Sequence, residues 1–218
     1  MKFFKRITLY VLIFVGIITV LNLPVNTRQG INGVVSVKTI PLYVKMSGFL
    51  YRDYQYKALS REITRGITTD RGKITAIYNW AVKNIRAESK DFPVVDDHPW
   101  NIAIRRYGTA GQMADIFTTL VSYAGYDFFY EKLEIDPSSA YIILSFVKIG
   151  DTWYTFDVYN KMPFIGGKGR LTLTPYGPSY DEYLNTANKE MFESHTRRPD
   201  KQKIMPRLIY EFKKIFDR

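Results

Sequence analysis

Hydrophobic and polar positions change their spacing along this 218-residue chain, and each change predicts a different element. Lys2, Lys5 and Arg6 precede Ile7–Leu23, an uncharged run of about 17 residues that Pro24 ends. That length is close to the minimum for a helix crossing bilayer hydrocarbon. Gly, Asn and Val then alternate from Gly30 to Val37, which predicts a linker and an edge strand over 25–50. Met46–Arg65 mixes aromatics and charges and predicts only a short helix around Lys57–Arg65. A clear helical stripe follows at Ile74, Ile77, Tyr78, Ala81, Val82 and Ile85, with Asp70 as its expected N-cap. After a polar, Pro-containing stretch from Ala87 to Arg106 comes a more apolar stripe: Met113, Ile116, Phe117, Leu120, Val121 and Ala124, stopped by Gly125.

From there the period is that of strands. Asp127–Leu133, Ala140–Ile149 and Thr152–Tyr159 are rich in Phe, Tyr, Ile and Val, and Gly150-Asp151 fits a tight hairpin turn between the last two. Helices followed by sequential antiparallel strands make an α+β domain rather than a doubly wound parallel sheet. Met162–Pro178 reads as a loop. Its Gly166-Gly167-Lys168-Gly169 lacks the strand-to-helix setting and the Lys-Ser/Thr ending of a phosphate cradle. From Pro206, Leu208, Ile209, Phe212, Ile215 and Phe216 predict an amphipathic helix packed on the domain. The chain thus divides into an anchor (1–24), the linker and edge strand (25–50), an α+β domain (51–185) and a basic C-terminal segment (186–218).

Composition sharpens this picture mainly by what is missing. There is no cysteine, which removes disulfides, thiolate metal sites, lipoprotein acylation and thiol catalysis together. The 17 Tyr, 14 Phe and 3 Trp fit core and half-buried sheet surface. No small-x-small cleavage site follows Leu21, so the apolar run is expected to remain as a single-pass anchor in the inner, cytoplasmic membrane. The three bases before it place the N-terminus inside and the domain in the extracytoplasmic space, with Arg28 opposing that bias. The net charge of +10 gathers in part near the C-terminus, at Arg197, Arg198, Lys201, Lys203, Arg207, Lys213, Lys214 and Arg218. Close to a membrane such a segment gains attraction to anionic lipid. Nucleic acid is not an expected partner outside the cytoplasm.

Gly108-Thr109-Ala110-Gly111-Gln112-Met113-Ala114, opening the apolar helix, resembles the nucleophile motif of the transglutaminase-like superfamily, Gly-x-Cys, then a polar residue, Ala and an apolar helix ending in Gly. Asp70–Ile85 resembles the helix that precedes it in that family. Trp153-Tyr154-Thr155-Phe156-Asp157 resembles the strand that ends in the family's Asp. The resemblance covers roughly residues 65–160 and implies a papain-like α+β fold whose helix N-terminus carries the reactive thiol. Here that position is Ala110. The family's His falls on Ile142 without a gap, or on Tyr141 with one extra hairpin residue, and neither is histidine. Two of three catalytic positions are therefore lost.

Without a base to orient, Asp157 is expected to hydrogen-bond at the strand end. Thr109 lies one helical step, about 100°, from the nucleophile's direction. Ser138 and Ser139 read as turn residues. His98, in Asp96-Asp97-His98-Pro99-Trp100-Asn101, could survive as a base, ligate a metal with its acidic neighbours, or fix a loop; adjacent side chains diverge too much for a good metal set, so no metal and no cofactor is expected. His195 sits among arginines and reads as surface. The former cleft would be lined by Trp100, Thr109, Ala110, Gln112, Tyr141 and Asp157. The expected role is a catalytically inactive binding or scaffolding module for a peptide, an envelope polysaccharide or a partner protein. The alternative is a hydrolase or acyltransferase using another constellation in that cleft.

Overall fold

The computed structural model describes residues 2–31, 34–89, 92, 96–134, 141–166, 204, 205 and 209. Helix α1 (Lys2–Leu21) is the apolar run; its span Phe3–Leu21 has a mean hydropathy of 2.0 and no residue buried in the protein. Where a linker is expected, the chain instead forms a hairpin of β1 (Pro24–Ile31) and β2 (Val34–Pro41), in register from Pro24 opposite Pro41 to Ile31 opposite Val34. Leu42 N–H donates to the Leu23 carbonyl at 2.9 Å, so the hairpin's open end is tied to the end of α1. Helix α2 (Leu42–Ile63) follows at once and is far longer than the short helix expected around Lys57–Arg65.

Helix α3 (Asp70–Asn84) begins one residue earlier than Asp70 would as a cap: Thr69 is the N-cap, its side chain accepting from Gly72 N–H. Asp70 occupies the first turn and accepts the Tyr126 hydroxyl at 2.7 Å. The two-residue strand β3 (Arg86–Ala87) lies parallel to β4 (Tyr107–Gly108), on either side of the short helix α4 (Pro99–Arg105). Arg106, at φ 62, takes the left-handed turn that ends α4 and leads the chain into β4. Helix α5 (Ala110–Tyr123) is the apolar helix, closed by Gly125 at φ 98.

Four antiparallel strands complete the fold in sequence order: β5 (Phe128–Glu134), β6 (Tyr141–Ile149), β7 (Thr152–Asp157) and β8 (Met162–Gly166). Gly150, at φ 59, makes the β6–β7 turn. Strand β8 replaces the beginning of the expected Met162–Pro178 loop; the rest of that loop, Ser138, Ser139, His195 and most of the C-terminal segment lie outside the described residues. The core joins one side of the sheet to the helices. Phe117 on α5 packs 5.1 Å from Phe156 on β7 and edge-on at 6.0 Å to Tyr78 on α3, with Ile74, Ile77, Leu120, Val121 and Val147 around them. This packing fixes the direction of α5 and therefore what its N-terminus faces.

Candidate functional site

The first turn of α5 is built by a reciprocal cap. Thr109 Oγ1 accepts Gln112 N–H at 3.4 Å, and Gln112 Oε1 accepts Thr109 N–H at 3.1 Å. Two otherwise orphaned helix donors are thereby satisfied. The same Gln112 oxygen accepts Arg105 Nη2 at 2.7 Å, while its Nε2 donates to Asp97 Oδ1 at 2.6 Å. Arg105 continues the chain of contacts to the Tyr107 carbonyl at 2.8 Å and lies 4.9 Å from the Tyr107 ring centre. Gly108 makes the arrangement sterically feasible, because a Cβ there would stand 3.0 Å from Gln112 Oε1 and 3.3 Å from Ile102 Cγ2. Thr109 and Gln112, both expected in the cleft lining, are thus committed to holding α4, α5 and the 96–98 loop together. Ala110 occupies the first helical position, half-buried.

Strand alternation decides which β6 residue meets that turn. Phe128 and Val147 are paired and belong to the core beneath α5; Ser145 pairs with Phe156 on the same face. Ile143 shares this parity, and its Cδ1 would lie 3.4 Å from a Cβ on Gly111. Phe146 is on the other face, stacked 4.4 Å from its partner Phe129. Ile142 has the parity of Phe146, so the ungapped position of the former histidine faces away from α5. Ile143, one residue further on, covers its first turn. Tyr141 is placed by its backbone opposite Glu134, two residues along from Ile143.

Asp157 is 1% exposed. Its carboxylate accepts Asn160 N–H at 2.9 Å and Asn160 Nδ2 at 2.7 Å, closing the β7–β8 turn in which Lys161 takes φ 58. Its carbonyl accepts the Tyr78 hydroxyl at 3.5 Å. Burial, with the Asp157 charge added, raises the Tyr78 pKa far above the ordinary tyrosine value.

The residues around His98 face elsewhere. His98 caps α4, its Nδ1 accepting Trp100 N–H at 3.2 Å. Asp96 Oδ1 accepts His98 N–H at 3.0 Å and Asn101 Nδ2 at 2.6 Å, an Asx-type turn. Asp97 N–H donates to the Gly30 carbonyl at 2.8 Å, which joins this loop to β1. Burial is the main cause that lowers the His98 pKa to about 4, with the Arg52 charge adding to it and Asp96 opposing. The Asp96 carboxyl is raised by burial, yet sits below the ordinary value because Asn101, the His98 N–H and charge, and Gln29 favour its ionised form. The imidazole is therefore neutral near pH 7. With Nδ1 accepting, its proton sits on Nε2, which makes it a donor there and not a base. Trp100 packs edge-on at 5.4 Å against Tyr56 of α2. These residues line one wall of a cavity of about 550 Å³ whose other walls are β1 and α2. Among the described residues no group of three or more His, Asp or Glu converges as a metal site.

Ile143, Arg105 and Arg52 are absent from the sequence-predicted set. The Thr109-x-x-Gln112 spacing signals the capping box directly; nothing in the sequence pairs Arg105 with it, because that contact crosses from α4 to α5.

Comparison with known proteins agrees with this architecture. A profile of the transglutaminase-like superfamily matches residues 57–158. No curated protein matches the sequence. Solved structures with a similar backbone include a protein of Cytophaga hutchinsonii provisionally assigned as a cysteine protease, at 16% identity and a TM-score of 0.42, over 52% of this chain and 41% of that one. Another is a TGase at 12% identity and a TM-score of 0.38, over 70% of this chain and 47% of the other. The chain spans less than half the length of either. Residues 57–158 match the transglutaminase-like superfamily and fold as an α+β domain, with no cysteine in the chain.

Proposed function

We propose that this protein is a membrane-anchored, catalytically inactive transglutaminase-like domain that works as a binding or scaffolding module for a peptide, an envelope polymer or a partner protein. The observation that carries this reading is Ala110 at the first position of α5 in a chain with no cysteine. A helix N-terminus favours a thiolate through its dipole and N–H groups, and a methyl group makes no use of either. Ile143 over the same turn supplies neither proton nor charge. Asp157, the remaining member of the motif, spends its carboxylate on Asn160. The unburied apolar span Phe3–Leu21 supports anchoring, and the bases preceding it support a domain outside the cytoplasmic membrane. The basic segment 186–218 would then lie close enough to anionic lipid for attraction.

The rival reading, a hydrolase or acyltransferase using His98, has the imidazole geometry against it. Its Nδ1 is occupied, and its Nε2 carries the proton. The test is restoration. Full-length protein in detergent is incubated with a glutamine peptide and a labelled primary amine, beside Ala110→Cys/Ile143→His and Ala110→Cys/Tyr141→His. The reading expects a silent wild type and an acyl-enzyme in a restored variant. Label incorporated by the wild type overturns it.

A further inference from the structure

The cavity between β1, α2 and the 96–101 loop lies outside the α5 cleft and holds an arginine that has no hydrogen bond or ion pair among the described residues. Arg52 is half-buried and lines the cavity. Its guanidinium lies back along α2, Nη1 standing 3.2 Å from where a Cβ on Gly48 would be. Glycine inside a helix is less favourable than alanine. Here it leaves room for the guanidinium against the helix. Among the described residues Arg52 donates no hydrogen bond and joins no ion pair; the ion pair found there is Lys57–Asp53, on the same helix.

The acids that share the cavity are met by other donors. Asp96 Oδ1 accepts from His98 N–H and Asn101 Nδ2, and Asp97 Oδ1 accepts from Gln112 Nε2. His98 turns its Nδ1 to Trp100 N–H, so its Nε2–H is a further donor in the same wall. Arg28 and Lys45 line the cavity too, Lys45 Nζ being held by the Asn26 carbonyl at 2.8 Å. Three cationic side chains, Arg28, Lys45 and Arg52, thus share the wall with two carboxylates, Asp96 and Asp97. A guanidinium fork with a second arginine and an imidazole N–H offers more hydrogen bonds than the two oxygens of a carboxylate take, and suits the three or more oxygens of a phosphate.

We propose that this cavity binds a phosphate group, with the Arg52 guanidinium as its main ligand and Arg28, Lys45 and His98 around it. The phosphate belongs to a soluble phosphoester or to a lipid headgroup. Both are within reach of the site, since the Leu42–Leu23 hydrogen bond holds the hairpin and α2 to the end of α1. This proposal does not depend on the loss of catalysis.

The experiment is titration calorimetry on the full chain in detergent and phosphate-free buffer. The probes are inorganic phosphate and, separately, a short-chain phosphatidylglycerol below its micellar concentration. Wild type and Arg61→Gln, on an exposed part of α2, are expected to bind at least one probe with equal affinity. Arg52→Gln is expected to weaken binding about tenfold or more, as loss of a charge-assisted fork does. Arg28→Gln, exposed on the hairpin, is expected to weaken it less and provides a variant whose folding is not at risk. Arg52-dependent binding of phosphate assigns a soluble ligand, and of the lipid alone a headgroup. Absence of binding to both probes, or equal binding by wild type and Arg52→Gln, overturns the proposal.

Discussion

The first turn of α5 and the cavity beside α2 stand at opposite ends of one side chain, Gln112, and they treat polar groups in opposite ways. At α5 the polar atoms of Thr109, Gln112 and Arg105 are bonded to one another, and the space where chemistry occurs in the family is occupied by Ala110 and Ile143. In the cavity Arg52 makes no hydrogen bond or ion pair among the described residues, while Asp96 and Asp97 each accept from other donors. A fold that loses its reactive groups can convert the site into packing and capping. Charge that packing does not consume is the better guide to where a ligand goes.

That contrast can be broken by mutation. Phe117→Ala removes the ring that ties α5 to Tyr78 and Phe156, and should cost about 3–5 kcal/mol in urea unfolding, since a wholly buried aromatic leaves a cavity. A cost under about 1 kcal/mol would mean that α5 is not seated as described.

His98 provides a pH test. Its folded pKa of about 4 is below the ordinary imidazole value of 6.5, so the folded state binds this proton less readily than the unfolded chain. The stability contribution is complete above pH 6.5, is lost as the pH falls through about 4, and is flat below. The loss is on the order of 3 kcal/mol. His98→Asn keeps a side-chain acceptor for Trp100 N–H. Chemical denaturation at pH 7 and pH 4 should show a smaller acid loss in this variant than in the wild type; equal losses would contradict a buried neutral imidazole.

Gln112→Ala cuts the cap and the bridges to Arg105 and Asp97, with an expected cost of about 2 kcal/mol in the same assay. Arg52→Gln should change stability by less than about 0.5 kcal/mol, because no hydrogen bond or ion pair among the described residues is lost. The difference between those last two values is the comparison in numerical form. Similar costs would mean that Arg52 has a structural role.

Much of the fold is legible in the sequence because α3, α5 and β5–β7 each bury one apolar face, which imposes a clean period. Helix α2 is not legible for the opposite reason. Its buried positions include Asp53 and Ser60, whereas Tyr43, Leu50, Tyr51 and Tyr54 are exposed, so the apolar stripe is blurred. Asp53 is tolerated inside because Lys57 and the Tyr123 hydroxyl meet its carboxylate. The Gly108–Ala114 and Trp153–Asp157 blocks reveal the superfamily from sequence. The residue facing Ala110 is beyond such reading, because a one-residue change of strand register turns every side chain to the other face. Ile142 and Ile143 differ by that one step. Arg52 is hidden for another reason: that its described neighbours leave it without a hydrogen bond is visible only once their own bonds are placed.

The most direct test of the central claim is covalent capture on the wild-type chain. An activated ester reporter is incubated with full-length protein and with His98→Ala, and intact mass and released product are followed together. The same background lysine acylation and the same background hydrolysis are expected in both samples. A wild-type acyl adduct or turnover that His98→Ala abolishes would contradict that claim and make this protein an enzyme.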